Sequence, residues 1–253
     1  MSNRPNIFVI GTMKGGTTAL HRILTSHPTI FPARKKEVHY FSLHYDRGED
    51  WYHEQFSEQP SGMNYIDASP TYLDVANTML IPRLIDKYSP NGKLIFIGRN
   101  PIERAISHFY HLRKVNKIPA LQDMDCNTFF AHDLARMLPG SGPIASYFML
   151  AINFSLFHAR VNRYKAFFGD RLLVLDNSQL RNKPQETAKR VFEHVGVDPI
   201  WDESFAVIRH SHRTKLADVS PEVFQRLSHI MRRDYEMFCK RYGIDFIWPE
   251  PDA

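Results

Sequence analysis

The tightest constraint on this chain is a glycine-built turn set between a strand and a helix. Asn6–Gly11 (NIFVIG) is a short apolar, β-branched run that closes on glycine, and it reads as a buried strand. Gly11-Thr12-Met13-Lys14-Gly15-Gly16-Thr17-Thr18 follows at once. Ala19, Leu20, Ile23 and Leu24 then recur at helical spacing until His27-Pro28 ends the helix. Such a turn aims several backbone N–H groups at one point, in front of the partial positive charge of a helix N-terminus. Gly15 and Gly16 let the backbone approach an anion closely, and Thr17 and Thr18 add hydroxyl donors. The segment is therefore expected to hold a phosphate or a sulfate.

The spacing is close to a Walker A loop and fails it. Walker A ends in Gly-Lys-Ser/Thr, but Thr17 stands in the lysine position and the lysine is Lys14, inside the loop. The next apolar strand, Lys93–Gly98, ends in Gly98-Arg99-Asn100 and supplies no aspartate for a magnesium ion, which nucleoside triphosphate chemistry usually needs. The loop suits an anion handled by lysine and arginine alone, and a P-loop nucleotide kinase is the alternative it disfavours.

Strands and helices alternate along the rest of the chain. Asn100 is an N-cap with Pro101 at the first helical position, and a helix is expected over Ile102–Leu112. Arg171–Leu175 reads as a third strand, followed by a helix around Pro184–His194. Ser220-Pro221-Glu222 opens a long amphipathic helix over Val219–Tyr242. The pattern implies an α/β fold, P-loop-like and three-layered, with a central mostly parallel sheet flanked by helices. Residues 114–143 carry Pro119, Pro139, Gly140, Gly142 and Pro143 and read as a surface excursion, either a lid or a plain connection. Phe148–Phe157 is an aromatic-aliphatic run of the kind found in cores. No linker interrupts residues 1–253, so one domain is expected.

Composition narrows the function classes. Lys plus Arg exceed Asp plus Glu by five (32 against 27), a mildly basic balance that suits an anionic ligand. No helix-turn-helix, RNP or zinc-finger pattern accompanies it, so a polyanion-binding module is a weaker alternative and no nucleic-acid partner is expected. The 13 histidines show no HExxH or related spacing, and no metal is expected. Cys126 and Cys239 form no CxxC pair and read as buried free thiols of a reducing compartment. No apolar run is long enough to span a membrane, and the N-terminus lacks signal-peptide features, which together suggest a cytoplasmic protein.

Beyond the loop, the sequence resembles the sulfotransferases that use 3′-phosphoadenosine 5′-phosphosulfate (PAPS), in particular the carbohydrate, heparan sulfate-type branch. The matching stretches are Gly11–Thr18, Lys36-Glu37-Val38-His39-Tyr40-Phe41 with Trp51-Tyr52, and Tyr65–Tyr72. Lys93–Pro101 with Arg104 and Ser107, His212-Arg213-Thr214 and Gly243–Trp248 complete them. The resemblance implies that Lys14 contacts the sulfuryl group and the bridging oxygen, while Gly15, Gly16, Thr17 and Thr18 cradle the 5′-phosphate. It implies that Arg99 and Ser107 bind the 3′-phosphate, that Arg213 and Thr214 belong to a late loop closing over the donor, and that Glu37 is the catalytic base. The product would be adenosine 3′,5′-bisphosphate, and the acceptor a small-molecule or saccharide hydroxyl. Three positions depart from the branch: Ala68 replaces a lysine, Ser42 replaces a frequent acid, and the C-terminal cysteine pair is missing. They bear on the acceptor more than on the chemistry.

The same residues carry plainer readings. Glu37 follows Arg34-Lys35-Lys36 and would otherwise be a solvated acid, while that basic run either steers an acidic acceptor or is a charged face. His39 is either a rival base or a packed histidine with one hydrogen bond. Arg99 is either an anion ligand or the ion-pair partner of Glu103. Trp51 and Tyr52 either line an acceptor cleft or anchor packing.

Overall fold

A computed structural model describes residues 4–74, 79–115, 118–131, 143–205, 216 and 219–249. The chain starts with β1 (Ile7–Gly11), α1 (Thr17–Thr25), β2 (Ile30–Pro32), α2 (Tyr40–Leu43), α3 (Gly48–Glu54) and β3 (Asn64–Asp67). It continues with α4 (Thr71–Asp74), α5 (Leu80–Tyr88), β4 (Lys93–Gly98), α6 (Pro101–Val115), α7 (Pro119–Gln122), α8 (Cys126–Phe130) and α9 (Pro143–Asn153). It closes with α10 (His158–Phe168), β5 (Leu172–Asp176), α11 (Asn177–Asn182), α12 (Pro184–Val195) and α13 (Pro221–Tyr242). Two compact units emerge: Met1–Gly98 with Ala159–Arg209, and Arg99–His158 with His210–Ala253.

The first unit is built on a five-stranded sheet in the order β2-β3-β1-β4-β5, every pair parallel. All five residues of β1 are buried, as a central parallel strand covered on both faces requires. Ile7 and Val9 point to one face, where Leu20, Ile23 and Leu24 of α1 and Ala188, Val191 and Phe192 of α12 cover them. Phe8 points to the other and meets Phe41 of α2, ring centroids 6.0 Å apart. The expected three layers are therefore present in this unit. β1 pairs with β3 on one side and β4 on the other. The chain order reverses there, so the crevice at the carboxyl ends of the strands opens beside the loop after β1.

The short strands β2 and β3 escaped the sequence reading. They hold three and four residues; β2 runs from buried to exposed and β3 from half-buried to buried. Neither has the continuous apolar run that marks β1 and β4.

The second unit is helical. α6 begins as expected, with Asn100 Oδ1 accepting the Ile102 and Glu103 amides at 3.1 and 3.3 Å. Ser220 caps α13, its hydroxyl accepting the Val223 amide at 3.4 Å. Ile102, Ile106 and Phe109 of α6 pack with Phe148 and Ile152 of α9 and Leu227 and Met231 of α13. Arg104 is fully buried, its Nε donating to Ser155 Oγ at 2.7 Å and its Nη2 to the Ala151 carbonyl. Cys126 and Cys239 are buried free thiols.

The expectation of a surface excursion over 114–143 needs correction in its described part. Leu121, Phe129 and Phe130 are fully buried in the helical core. The apolar side chains decide the outcome, and Pro119 only opens α7 at its first turn. Residues 116–117 and 132–142 lie outside the described part.

Candidate active site

The loop after β1 is shaped by close backbone approaches. A Cβ on Gly15 would run into the carbonyl oxygen of Ile97 at the end of β4. A Cβ on Gly16, whose φ is +119°, would run into the side-chain amide of Asn177 at the start of α11. Both positions therefore demand glycine on grounds of space, and Gly16 also on grounds of conformation. The loop is tied down by Thr12 N–H donating to the Ile97 carbonyl at 3.0 Å and Gly15 N–H to the Thr12 carbonyl at 2.9 Å. No side chain caps α1. The orphan amides of its first turn face the crevice with the helix dipole behind them, as an anion site requires. Lys14, Thr17 and Thr18 lie in this one turn, Thr17 buried and Thr18 exposed.

Three non-glycine residues among those described have a left-handed backbone: Lys14 (φ 66°), Glu37 (φ 69°) and His39 (φ 57°). Each such residue costs on the order of 1 kcal/mol or more and persists where its surroundings over-determine it, commonly at functional sites. Lys14 follows β1, and Glu37 and His39 follow β2, so all three leave strands of one parallel sheet at its carboxyl edge.

Each Glu37 oxygen has a nitrogen neighbour. Lys36 Nζ lies 2.6 Å from its Oε1, and His39 Nε2 lies 3.7 Å from its Oε2. The other ring nitrogen of His39 is 2.8 Å from Thr71 Oγ1. Burial lowers the His39 pKa below its ordinary value, partly offset by the Glu37 carboxylate, so the imidazole is neutral at neutral pH. The ring thus makes one hydrogen bond, to Thr71, as the plainer reading has it, and its other nitrogen stands near Glu37.

Asp67, at the end of β3 beside β1, is a residue to which the sequence reading gave no role. It is fully buried. Its Oδ1 accepts from Ser69 Oγ at 2.6 Å, and its Oδ2 accepts from Tyr52 and Tyr72 at 2.6 and 2.5 Å. Burial and then the neighbouring carboxylate push both phenols well above their ordinary pKa, so they stay protonated donors. Tyr52 also stacks on Tyr40, centroids 4.2 Å apart. Of the two readings offered for Tyr52, the structure supports the packing anchor, since a fully buried ring lines no cleft. Trp51 is half-buried under the Arg47 guanidinium, 4.8 Å from its ring centre.

In the second unit, Arg99 forms the ion pair with Glu103: Nε and Nη2 each lie 2.8 Å from Oε2. This is the plainer of the two readings for Arg99. Ser107 follows Glu103 by one helical turn on the same face of α6 and is half-buried. Arg213 and Thr214 lie outside the described residues.

The parallel α/β sheet thus carries a glycine-built, uncapped helix N-terminus suited to an anion, with strained lysine, glutamate and histidine at its carboxyl edge. The chain belongs to the sulfotransferase domain family, which it matches over residues 4–241. A membrane-associated sulfotransferase, kil1 of Dictyostelium discoideum, is 42% identical over 125 residues, 47% of this chain and 26% of that protein. The bifunctional heparan sulfate N-deacetylase/N-sulfotransferase 1 of Mus musculus is 31% identical over 213 residues, 78% of this chain and 23% of that protein. This chain thus spans about a quarter of the length of either relative. The crystal structure of a sulfotransferase from Alicyclobacillus acidocaldarius shares the fold, with a TM-score of 0.73 at 23% identity over 96% of this chain and 97% of that one.

Two outcomes follow from this geometry. Gly16→Ala should lower stability by about 1–3 kcal/mol in urea denaturation, because it adds a Cβ at positive φ against Asn177. An unchanged midpoint would show that the loop yields at no cost. His21 on α1 has its pKa lowered from 6.5 to about 4, by burial first and then by the Lys36 charge. Above pH 6.5 it leaves stability untouched. As the pH falls toward 4, the unfolded chain takes up a proton that native His21 refuses, and the loss reaches at most roughly 3 kcal/mol. His21→Leu should flatten the stability curve across that window, and an unaltered slope would refute the assignment.

Proposed function

We propose that this chain acts as one sulfotransferase domain that moves the sulfuryl group of PAPS to a hydroxyl of an acceptor. A saccharide hydroxyl is the leading acceptor class, with a lipid or secondary-metabolite hydroxyl as the second. The reading is supported most by the left-handed backbone shared by Lys14, Glu37 and His39, which are the residues assigned to the chemistry from the resemblance.

In this reading the amides of Gly15–Thr18 and the Thr17 and Thr18 hydroxyls hold the 5′-phosphosulfate. Arg99 and Ser107 bind the 3′-phosphate, together with Arg213 and Thr214. Glu37 accepts the acceptor's hydroxyl proton. The acceptor oxygen forms a bond to sulfur as the bond from sulfur to the 5′-phosphate oxygen breaks. Adenosine 3′,5′-bisphosphate leaves with that electron pair, and Lys14 offsets the charge that builds on it. As in other in-line transfers, the protein contributes chiefly position and charge. His39, neutral and beside Glu37, orients the carboxylate or shares the proton.

A kinase reading fares worse on a particular contact. Asp67 ends the strand beside β1, where an acid could serve a magnesium ion, but Ser69, Tyr52 and Tyr72 occupy its oxygens. Among the described residues no single helix is long and apolar enough to cross a membrane.

Calorimetry tests the donor. Adenosine 3′,5′-bisphosphate should bind equally with and without magnesium. Magnesium-dependent ATP binding would instead favour a kinase, and salt-sensitive oligonucleotide binding alone a polyanion module. Glu37→Gln should cut turnover by about 10²–10⁴-fold while leaving adenosine 3′,5′-bisphosphate affinity intact. Near-wild-type turnover would remove Glu37 from the base role.

A further inference from the structure

The buried carboxylate of Asp67 takes no part in the proposed chemistry, yet it anchors the segment that does. Its Oδ1 accepts from Ser69 Oγ at 2.6 Å, and the same Ser69 oxygen accepts the backbone N–H of His39 at 2.9 Å. Two residues on, Thr71 Oγ1 meets the His39 ring at 2.8 Å and Ser42 Oγ at 2.7 Å, and Ser42 Oγ donates to the His39 carbonyl at 3.3 Å. Ser69 and Thr71 after β3 therefore grip His39 at its amide and its ring, and Ser42 of α2 reaches its carbonyl.

We infer that Asp67 is a positioning residue: acting through Ser69, it holds His39 and with it Glu37 in the left-handed backbone that points both side chains at one another. Three physical points carry this. A left-handed residue needs its backbone groups fixed from outside, and the His39 amide is fixed by Ser69 alone among the hydrogen bonds formed at that group. A serine hydroxyl has one proton, and Asp67 takes it, so the Ser69 oxygen is left facing the His39 amide as an acceptor. Two tyrosine hydroxyls hold the other carboxylate oxygen, so Asp67 cannot swing away. Burial raises its pKa above the ordinary carboxylate value, while the three hydroxyl donors oppose the rise. An ionised carboxylate is the state that accepts all three.

The inference rests on the proposed role of Glu37, and the test separates the two. Asp67→Asn sets an amide N–H₂ against donor hydroxyls and risks misfolding, so Ser69→Ala is the principal variant: it spares both tyrosine contacts. Ser69→Thr keeps the hydroxyl. With radiolabelled PAPS and a pool of saccharide acceptors, Ser69→Ala should lose about 10- to 100-fold in turnover, with adenosine 3′,5′-bisphosphate affinity within about twofold of wild type. Ser69→Thr should recover most of the loss. In a Glu37→Gln background, Ser69→Ala should cost nothing further, since both act through one group. Turnover within about twofold of wild type, or losses that multiply in the double variant, would overturn the inference. If the wild type transfers no sulfuryl group, the proposed function fails, and amide hydrogen exchange at His39 still decides positioning. Exchange about tenfold or more faster in Ser69→Ala supports it, and unchanged exchange overturns it.

Discussion

The first unit's active edge depends on how closely two glycines can lie against their neighbours. Gly15 sits on the last carbonyls of β4, and Gly16 on Asn177 at the start of α11. Any side chain at either position would push the loop outward, and the amides of α1 would no longer converge. The β1–β4 register also shifts between Val9 and Gly11, so the strand loosens where the loop begins. The sheet thus delivers the loop, and the glycines let it fold back onto the sheet. Lys14 enters its left-handed conformation inside this short span, between anchored ends at Thr12 and Gly15.

On the far side of β1, the problem is solved by polarity instead of by small size. β3 ends in a carboxylate buried among aromatic rings, an arrangement that would be costly without partners. Tyr52 from α3, Tyr72 from α4 and Ser69 from the intervening turn supply three hydroxyls. Removing one would leave the other two to hold a buried charge. The residues that complete the carboxylate's hydrogen bonding also fix the turn that holds His39. Packing and site geometry are one set of contacts here.

Much of this was legible in the sequence, and the remainder was hidden for identifiable reasons. β1, β4 and β5 show continuous apolar runs because both their faces are covered. The caps Asn100 and Ser220 are local signals and form the expected bonds. β2 and β3 are too short to carry a period, so the residues that follow them acquired neighbours only through the sheet order. Leu121, Phe129 and Phe130 were obscured by the prolines and glycines around them, yet burial of aromatic surface decides their fate. The left-handed backbone at Glu37 and His39 has no glycine or asparagine to announce it. It arises from hydrogen bonds to a turn some thirty residues away, which no local pattern encodes.

Two departures from the heparan sulfate-type pattern fall within this same scaffold. Ala68 lies between Asp67 and Ser69 and packs into the apolar cluster beneath the sheet, so the cation next to Glu37 is Lys36. Ser42, in place of a frequent acid, joins a hydroxyl chain that ends on the His39 ring. Its Oγ lies 3.3 Å from the His39 carbonyl and 2.7 Å from Thr71 Oγ1, which lies 2.8 Å from His39 Nδ1. The other ring nitrogen, Nε2, stands 3.7 Å from the Glu37 carboxylate. A neutral imidazole and a carboxylate side by side can take one proton between them, and the lowered His39 pKa keeps the imidazole free of a second. The departures thus both lie around Glu37 and His39, while the glycine loop after β1 is untouched by either.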